Sequence, residues 1–181
     1  MITLIIVDCQ NDFITGSMSV KGAKNAVDNI KDFIKNHRKE IEKIIFTVDW
    51  HPYNHMSFKK SGGQWPSHCV QYTPGACIEP TILKLPWRLN IPYEIVSYWP
   101  KTIPEGTDLI IAGMNGNTSV KSAVELYWNV YRCELFWPGI WFPEHNEETF
   151  NWLRNHTEGI FEVPKRDKKK DLFVQRFKGN K

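Results

Sequence analysis

Six short apolar runs, at residues 3–7, 44–48, 93–96, 109–112, 134–136 and 160–163, punctuate this chain. Runs of this length, without polar alternation, suit strands covered on both faces, as in a parallel sheet. Helical patterns lie between several of them. Ala26, Val27, Ile30, Phe33 and Ile34 line one face of a helix over residues 22–37. Val120, Ala123, Val124, Tyr127 and Tyr131 do the same over 119–131, and Phe150 and Leu153 mark a third helix over 144–156. Strands alternating with helices predict a right-handed, doubly wound α/β sheet. In such sheets ligands gather at the carboxyl ends of the strands. Asp8 and Asp49 end the first two runs and Gly113 follows the fourth, so all three belong on one rim. Residues 50–92 carry little periodicity beyond a short helix at about 78–85. A connection of that length points to a functional loop.

At 181 residues the chain suits a single domain with a sizeable core, taken as residues 1–164. No stretch is apolar and long enough to span a bilayer, and the N-terminus reads as a first strand and not as a signal peptide. The four cysteines (Cys9, Cys69, Cys77 and Cys133) form no CxxC pair and no disulfide framework, which suits a cytoplasmic chain with reduced thiols. Charge is unevenly spread. Residues 165–181 carry a net +6, while the remaining 164 carry −3. The bland reading of this tail is a solvated segment. Contact with an anionic surface is open to its lysine run, and docking on a partner subunit is open to Val174 and Phe177. Nucleic acid is not the expected partner.

The residues able to carry chemistry sit where the pattern puts the rim. Asp49, His51, His55 and His68 place three imidazoles and a carboxylate within twenty residues, a donor set that suits zinc and is compatible with iron or manganese. Three scattered surface histidines are the competing reading. Asp8 is a candidate general base, or else a brace for the following loop. The segment Gly113-Met114-Asn115-Gly116-Asn117-Thr118-Ser119 opens a helix, whose positive end suits an oxyanion. Ser119 there is either a nucleophile or an N-cap. Phe13, Trp50 and Trp65 can wall an aromatic slot or pack in the core.

Three motifs carry a resemblance. Val7-Asp8-Cys9-Gln10-Asn11-Asp12-Phe13, then Val48-Asp49-Trp50-His51-Pro52-Tyr53-Asn54-His55, then Trp65-Pro66-Ser67-His68-Cys69-Val70 resemble the nicotinamidase/pyrazinamidase branch of the isochorismatase-like cysteine hydrolases. Ile111-Ala112-Gly113-Met114 with Ser119-Val120-Lys121 resembles the nucleophile turn of the same family. The resemblance implies a six-stranded parallel sheet. It implies that Asp49, His51, His55 and His68 ligate a divalent metal, that Phe13 and Trp65 flank a nicotinamide ring, and that Asp8 is the acid/base. It also implies an oxyanion held near Asn115 and Ser119, with a cis peptide between Met114 and Asn115, and it brings the self-association common among relatives.

The pattern is broken at two catalytic positions. Ser119 occupies the place of the nucleophilic cysteine, and Cys133 lies too far along to replace it. The third strand ends Ser97-Tyr98-Trp99, where relatives carry a lysine; Tyr98 or the displaced Lys101 would have to stand in. The connection to the fourth strand is short, and Gly116-Asn117 replaces the usual Thr-Asp. A serine hydroxyl needs a stronger base than a thiol does. Two readings follow: a nicotinamidase-like metal-containing amide hydrolase, or a catalytically inactive relative that binds a metal and a nicotinamide-like molecule.

Overall fold

The computed structural model of the protein describes residues 1–19, 21–160 and the pair 176–177. Six parallel strands form its centre: β1 (Ile2–Val7), β2 (Ile41–Val48), β3 (Tyr93–Ser97), β4 (Asp108–Gly113), β5 (Cys133–Ile140) and β6 (Glu158–Ile160). Their order is β3-β2-β1-β4-β5-β6. A two-residue strand, β7 (Arg176–Phe177), adds antiparallel to β6 and extends the sheet beyond the six expected strands. The rest of the basic tail lies outside the described residues. Among the described residues, five α-helices accompany the sheet: α1 (Asn11–Ile14), α2 (Ala23–Asn36), α3 (Pro80–Leu89), α4 (Lys121–Tyr127) and α5 (Glu147–His156).

Burial explains why β1 sits at the centre. All six of its residues are buried, and the side-chain period of two divides them between two cores. Leu4 and Ile6 join Ile44, Phe46, Ala112 and Phe136 beneath α2 and α3. Ile5 and Val7 join Ile45, Leu109, Ile111 and Leu135 beneath α4 and α5. Each fully buried side chain of this size contributes about 2 kcal/mol. The β3 run departs from the expected pattern: Tyr93, Ile95 and Ser97 are exposed, because β3 is the sheet edge. Strand β5 runs past its apolar stretch through Pro138 and Gly139 and reaches Ile140. A register shift against β4 absorbs the extra residues, and Asn29 donates to the Pro138 carbonyl at 2.6 Å.

Strand order reverses between β1 and β4, so a crevice opens at the carboxyl ends of these two neighbours. The strands approach closely there. Gly113 has φ of +135°, and a Cβ on it would overlap the Val7 backbone. Met114 N–H donates to Val7 O at 2.8 Å across the same junction. At the opposite rim Arg132 ties three strands together, reaching Asp108 at 3.5 Å, Glu134 at 3.3 Å and Glu158 at 2.6 Å. Gly113→Ala is therefore expected to destabilise the protein by about 3 kcal/mol or more, through overlap with backbone and an unfavourable φ. Urea denaturation measures this, and an unchanged midpoint would contradict the close β1–β4 contact.

Candidate metal and catalytic site

The loop leaving β1 builds the site. Asp8 itself has φ of +50°, a left-handed conformation uncommon for a residue with a side chain. Two residues on, Gln10 is wholly buried. Its amide accepts from Asp49 N–H at 2.8 Å and donates to Asp49 O at 2.7 Å and Ala76 O at 2.8 Å. The side chain thus pairs with backbone much as a neighbouring strand would, and it fixes where Asp49 leaves β2. The sequence reading gave Gln10 no role. A fully polar side chain between an apolar strand and Phe13 was the available signal.

Asp49, His51 and His68 converge: one ligand atom of each lies within 4.8 Å of the others. Asp49 Oδ2 is 3.4 Å from His51 Nε2 and 3.9 Å from His68 Nε2. His68 Nδ1 lies 2.7 Å from the Pro66 carbonyl. Only a protonated Nδ1 can bond there, which leaves the Nε2 lone pair open toward Asp49. His51 Nδ1 is buried without a hydrogen-bond partner. Burial is the main cause that lowers the His51 pKa below its usual 6.5; repulsion from His55 and His68 adds to this, and the Asp49 charge opposes it. A neutral imidazole is the form that binds metal. The three donors therefore fit a divalent cation.

His55, the fourth expected ligand, falls outside this group. Its ring stacks on His51 at 4.2 Å, and its Nδ1 sits 2.7 Å from Ser57 Oγ and 3.4 Å from Ser57 N. The short contact is the one to the Ser57 hydroxyl, and a ring whose Nδ1 donates to that oxygen presents its Nε2 lone pair, so His55 remains a candidate fourth donor beside the three.

Across the crevice, Asp8 lies buried between β2 and the turn that follows β4. Burial raises its carboxyl to about 7, and the Asp49 charge pushes the same way. Thr47 Oγ1, donating at 3.0 Å, and the Ser119 hydroxyl oppose the rise. Asp8 and Ser119 are thus brought together, as the sequence order required. The thiols are poor alternatives. Burial pushes Cys9 and Cys69 far up and Cys133 to about 12, and all four cysteines are free.

A cavity of about 390 Å³ joins the two halves. Phe13, Trp65, Asn115 and Ser119 line it together with the three metal-competent residues and His55. Phe13 is buried with its ring 5.7 Å from that of His68, while Trp65 stands half-exposed. Asn117 and Thr118, from the expected oxyanion segment, line it too, and Met18, Ser57, Pro143 and Glu144, to which the sequence gave no role, complete the wall. Met114 and Asn115 are joined by a trans bond, against expectation; the chain turns by placing Asn115 in the left-handed region at φ of +62°. Residues Gly116–Val120 then form a wide π turn before α4 begins, two residues later than expected. Tyr98 is 64% exposed and Lys101 is exposed as well; neither lines the cavity.

Comparison with known proteins matches residues 3–86 to the isochorismatase domain. The nicotinamidase of Saccharomyces cerevisiae is 33% identical over 102 residues, covering 42% of this chain and 47% of that protein. The chain spans about half the length of the curated relatives it matches. Among solved structures, the yeast nicotinamidase bound to the inhibitor nicotinaldehyde superposes with a TM-score of 0.66 at 23% identity, covering 84% of this chain and 93% of that one. The zinc complex of Pyrococcus horikoshii pyrazinamidase gives 0.62 at 24% identity over 83% of this chain and 90% of its own. At such identities the structures speak for the fold. Motif order, the domain match over residues 3–86, the relatives and the fold all make the chain similar to the nicotinamidase/pyrazinamidase branch of the isochorismatase-like hydrolases.

Proposed function

We propose that this chain hydrolyses a small aromatic amide, with nicotinamide and pyrazinamide as type substrates, to the acid and ammonia. One observation carries the reading: Ser119, hydrogen-bonded to the buried Asp8, and the Asp49–His51–His68 cluster line one cavity at the switch point of the sheet. Among the described residues, no lysine or arginine lines that cavity, which suits a neutral substrate.

Asp49, His51 and His68, with His55 beside them, would hold the divalent ion, zinc in our reading, with iron or manganese as alternatives. Bound there, the ion supplies a Lewis-acidic anchor for a ring nitrogen. Phe13 and Trp65 offer apolar faces to the ring. Asp8, with a pKa near neutrality, takes the proton from Ser119 Oγ as that oxygen attacks the amide carbonyl. We assign the oxyanion to the backbone N–H groups of Asn115 and Ser119. Asp8 returns the proton to the departing ammonia. A water then attacks the Ser119 ester, losing its proton to Asp8, and the acid leaves with Ser119 restored. A second reading is favoured by the absence of Tyr98 and Lys101 from the cavity. With neither Tyr98 nor Lys101 beside the nucleophile, the chain would keep the metal and the ring slot and act as a binding protein.

Ammonia release from nicotinamide and pyrazinamide, assayed with zinc, iron and manganese in turn, separates the two. In the enzymatic reading Ser119→Ala costs about a thousandfold in kcat. Ser119→Cys gains about tenfold, because a thiol is the better nucleophile. Turnover that is absent with every metal, beside measurable binding of nicotinamide, would leave only the binding role.

Asp8 also predicts a pH dependence of stability. Unfolded, its carboxyl ionises near the ordinary 3.8; folded, near 7. Between these values the folded state holds a proton that the unfolded state has lost, so stability falls as pH rises from about 4 to about 7. Asp8→Asn removes the effect. In metal-free protein the variant should match wild type near pH 4 and exceed it by at most about 4 kcal/mol above pH 7. Urea denaturation at both pH values tests this, and a variant less stable than wild type at pH 8 would refute the buried, proton-hungry carboxyl.

A further inference from the structure

We infer that Asp12, which is not itself a ligand, is the positioning residue that fixes His68 for metal binding. The inference rests on the metal reading above. The backbone on both sides of His68 is held by one short segment. Asp12 Oδ2 accepts the Cys69 N–H at 2.7 Å. Asp12 Oδ1 accepts the Ser17 N–H at 3.2 Å, and the Ser17 hydroxyl donates to Ser67 O at 2.8 Å. His68 is therefore straddled: the residue before it is tied to Ser17, the residue after it to Asp12, and Asp12 holds Ser17 in place. Phe13, the next residue along, lies against the His68 ring.

The need for this grip is local. Cys69 has φ of +46°, a left-handed conformation that a residue with a Cβ adopts at a cost. A charge-assisted bond to its N–H is about twice as strong as a neutral one and offsets that cost. Other contacts bear on His68 as well, namely its own Nδ1 bond to Pro66, the Phe58 ring beside it and the His51 N–H donating to Cys69 O at 3.0 Å; Asp12 is the group that holds the Cys69 N–H. The chain also leaves room for the carboxyl. A methyl group on Gly75 would land on the Asp12 carboxyl, the movable end of a side chain. Gly75→Ala should therefore displace the carboxyl and act as an Asp12 variant, while altering neither Asp12 nor any metal ligand.

The test is zinc affinity of the full chain, titrated against a competing chromophoric chelator, with thermal unfolding of the metal-free proteins alongside. Loss of second-layer support typically costs ten- to a hundredfold in metal affinity, and Asp12→Ala is expected at about tenfold. Asp12→Asn keeps only one acceptor and should lose less. Ser17→Ala, which alters one exposed hydroxyl, should lose about threefold. Gly75→Ala should approach Asp12→Ala, and the double variant Asp12→Ala/Gly75→Ala should be no worse than Asp12→Ala alone. Hydrogen exchange at the Cys69 amide should quicken in Asp12→Ala and in Gly75→Ala. Zinc binding by wild type that is unchanged in these folded variants, even with a lowered melting temperature, overturns the positioning role and leaves the metal reading intact. A wild type that binds no zinc overturns both.

Discussion

The contact between β1 and β4 decides what this molecule can do. Two parallel strands meet where the winding of the sheet reverses, and one of them must turn immediately afterwards. Gly113 permits that turn against the Val7 backbone, and the Met114 N–H seals it to the Val7 carbonyl. The consequence is that the loop carrying Asp8 and the turn carrying Ser119 leave the sheet side by side. A bulkier residue at position 113 would separate the two, whatever chemistry they carry. The fold is thus selected by burial of apolar faces, but the site is set by this one close approach.

Much of the fold is readable from apolar runs, because each central strand is covered on both faces and is apolar over most of its buried length. The exceptions have physical causes. Strand β3 lies at the edge, so its outward residues are free to be polar or exposed, and its apolar run overstated its burial. Strand β5 hides its last residues behind Pro138 and Gly139, which in a single sequence read as an end; only pairing with β4 through an irregular register carries the strand on. Helix α4 starts late because Gly116–Val120 winds more widely than an α turn, a detail that depends on Asn115 and on the Gly116 N–H bond to Trp141 O at 2.9 Å.

The site was legible in part for a similar reason. Residue types announce donors, so Asp49, His51 and His68 could be named from the chain alone. Geometry decides which nitrogen of a histidine is free, and geometry depends on partners such as Ser57 and Pro66 that no spacing rule includes. His55 was expected as a ligand on type and position. It lies beside the three, its ring stacked on His51 and its Nδ1 against Ser57 Oγ. Gln10 and Asp12 went unassigned for the converse reason: their work is done on backbone groups of distant loops, which sequence does not reveal.

The two halves of the site are joined by charge as well as by shape. Asp8 is raised chiefly by its own burial, and next by the negative charge of Asp49 across the crevice. Hydroxyls from Thr47 and Ser119 offset part of this, but hydroxyl dipoles cannot neutralise a second carboxylate. The family resemblance implies a lysine near this position; here Tyr98 and Lys101 stay at the surface. The balance at Asp8 therefore falls to whatever compensates Asp49. Any positive charge held by Asp49, His51 and His68 favours the ionised form of Asp8, and by linkage an ionised Asp8 favours that positive charge in return. A serine nucleophile needs its base ionised, so in this chain the state of the Asp49 cluster and the readiness of Ser119 are one electrostatic problem and not two.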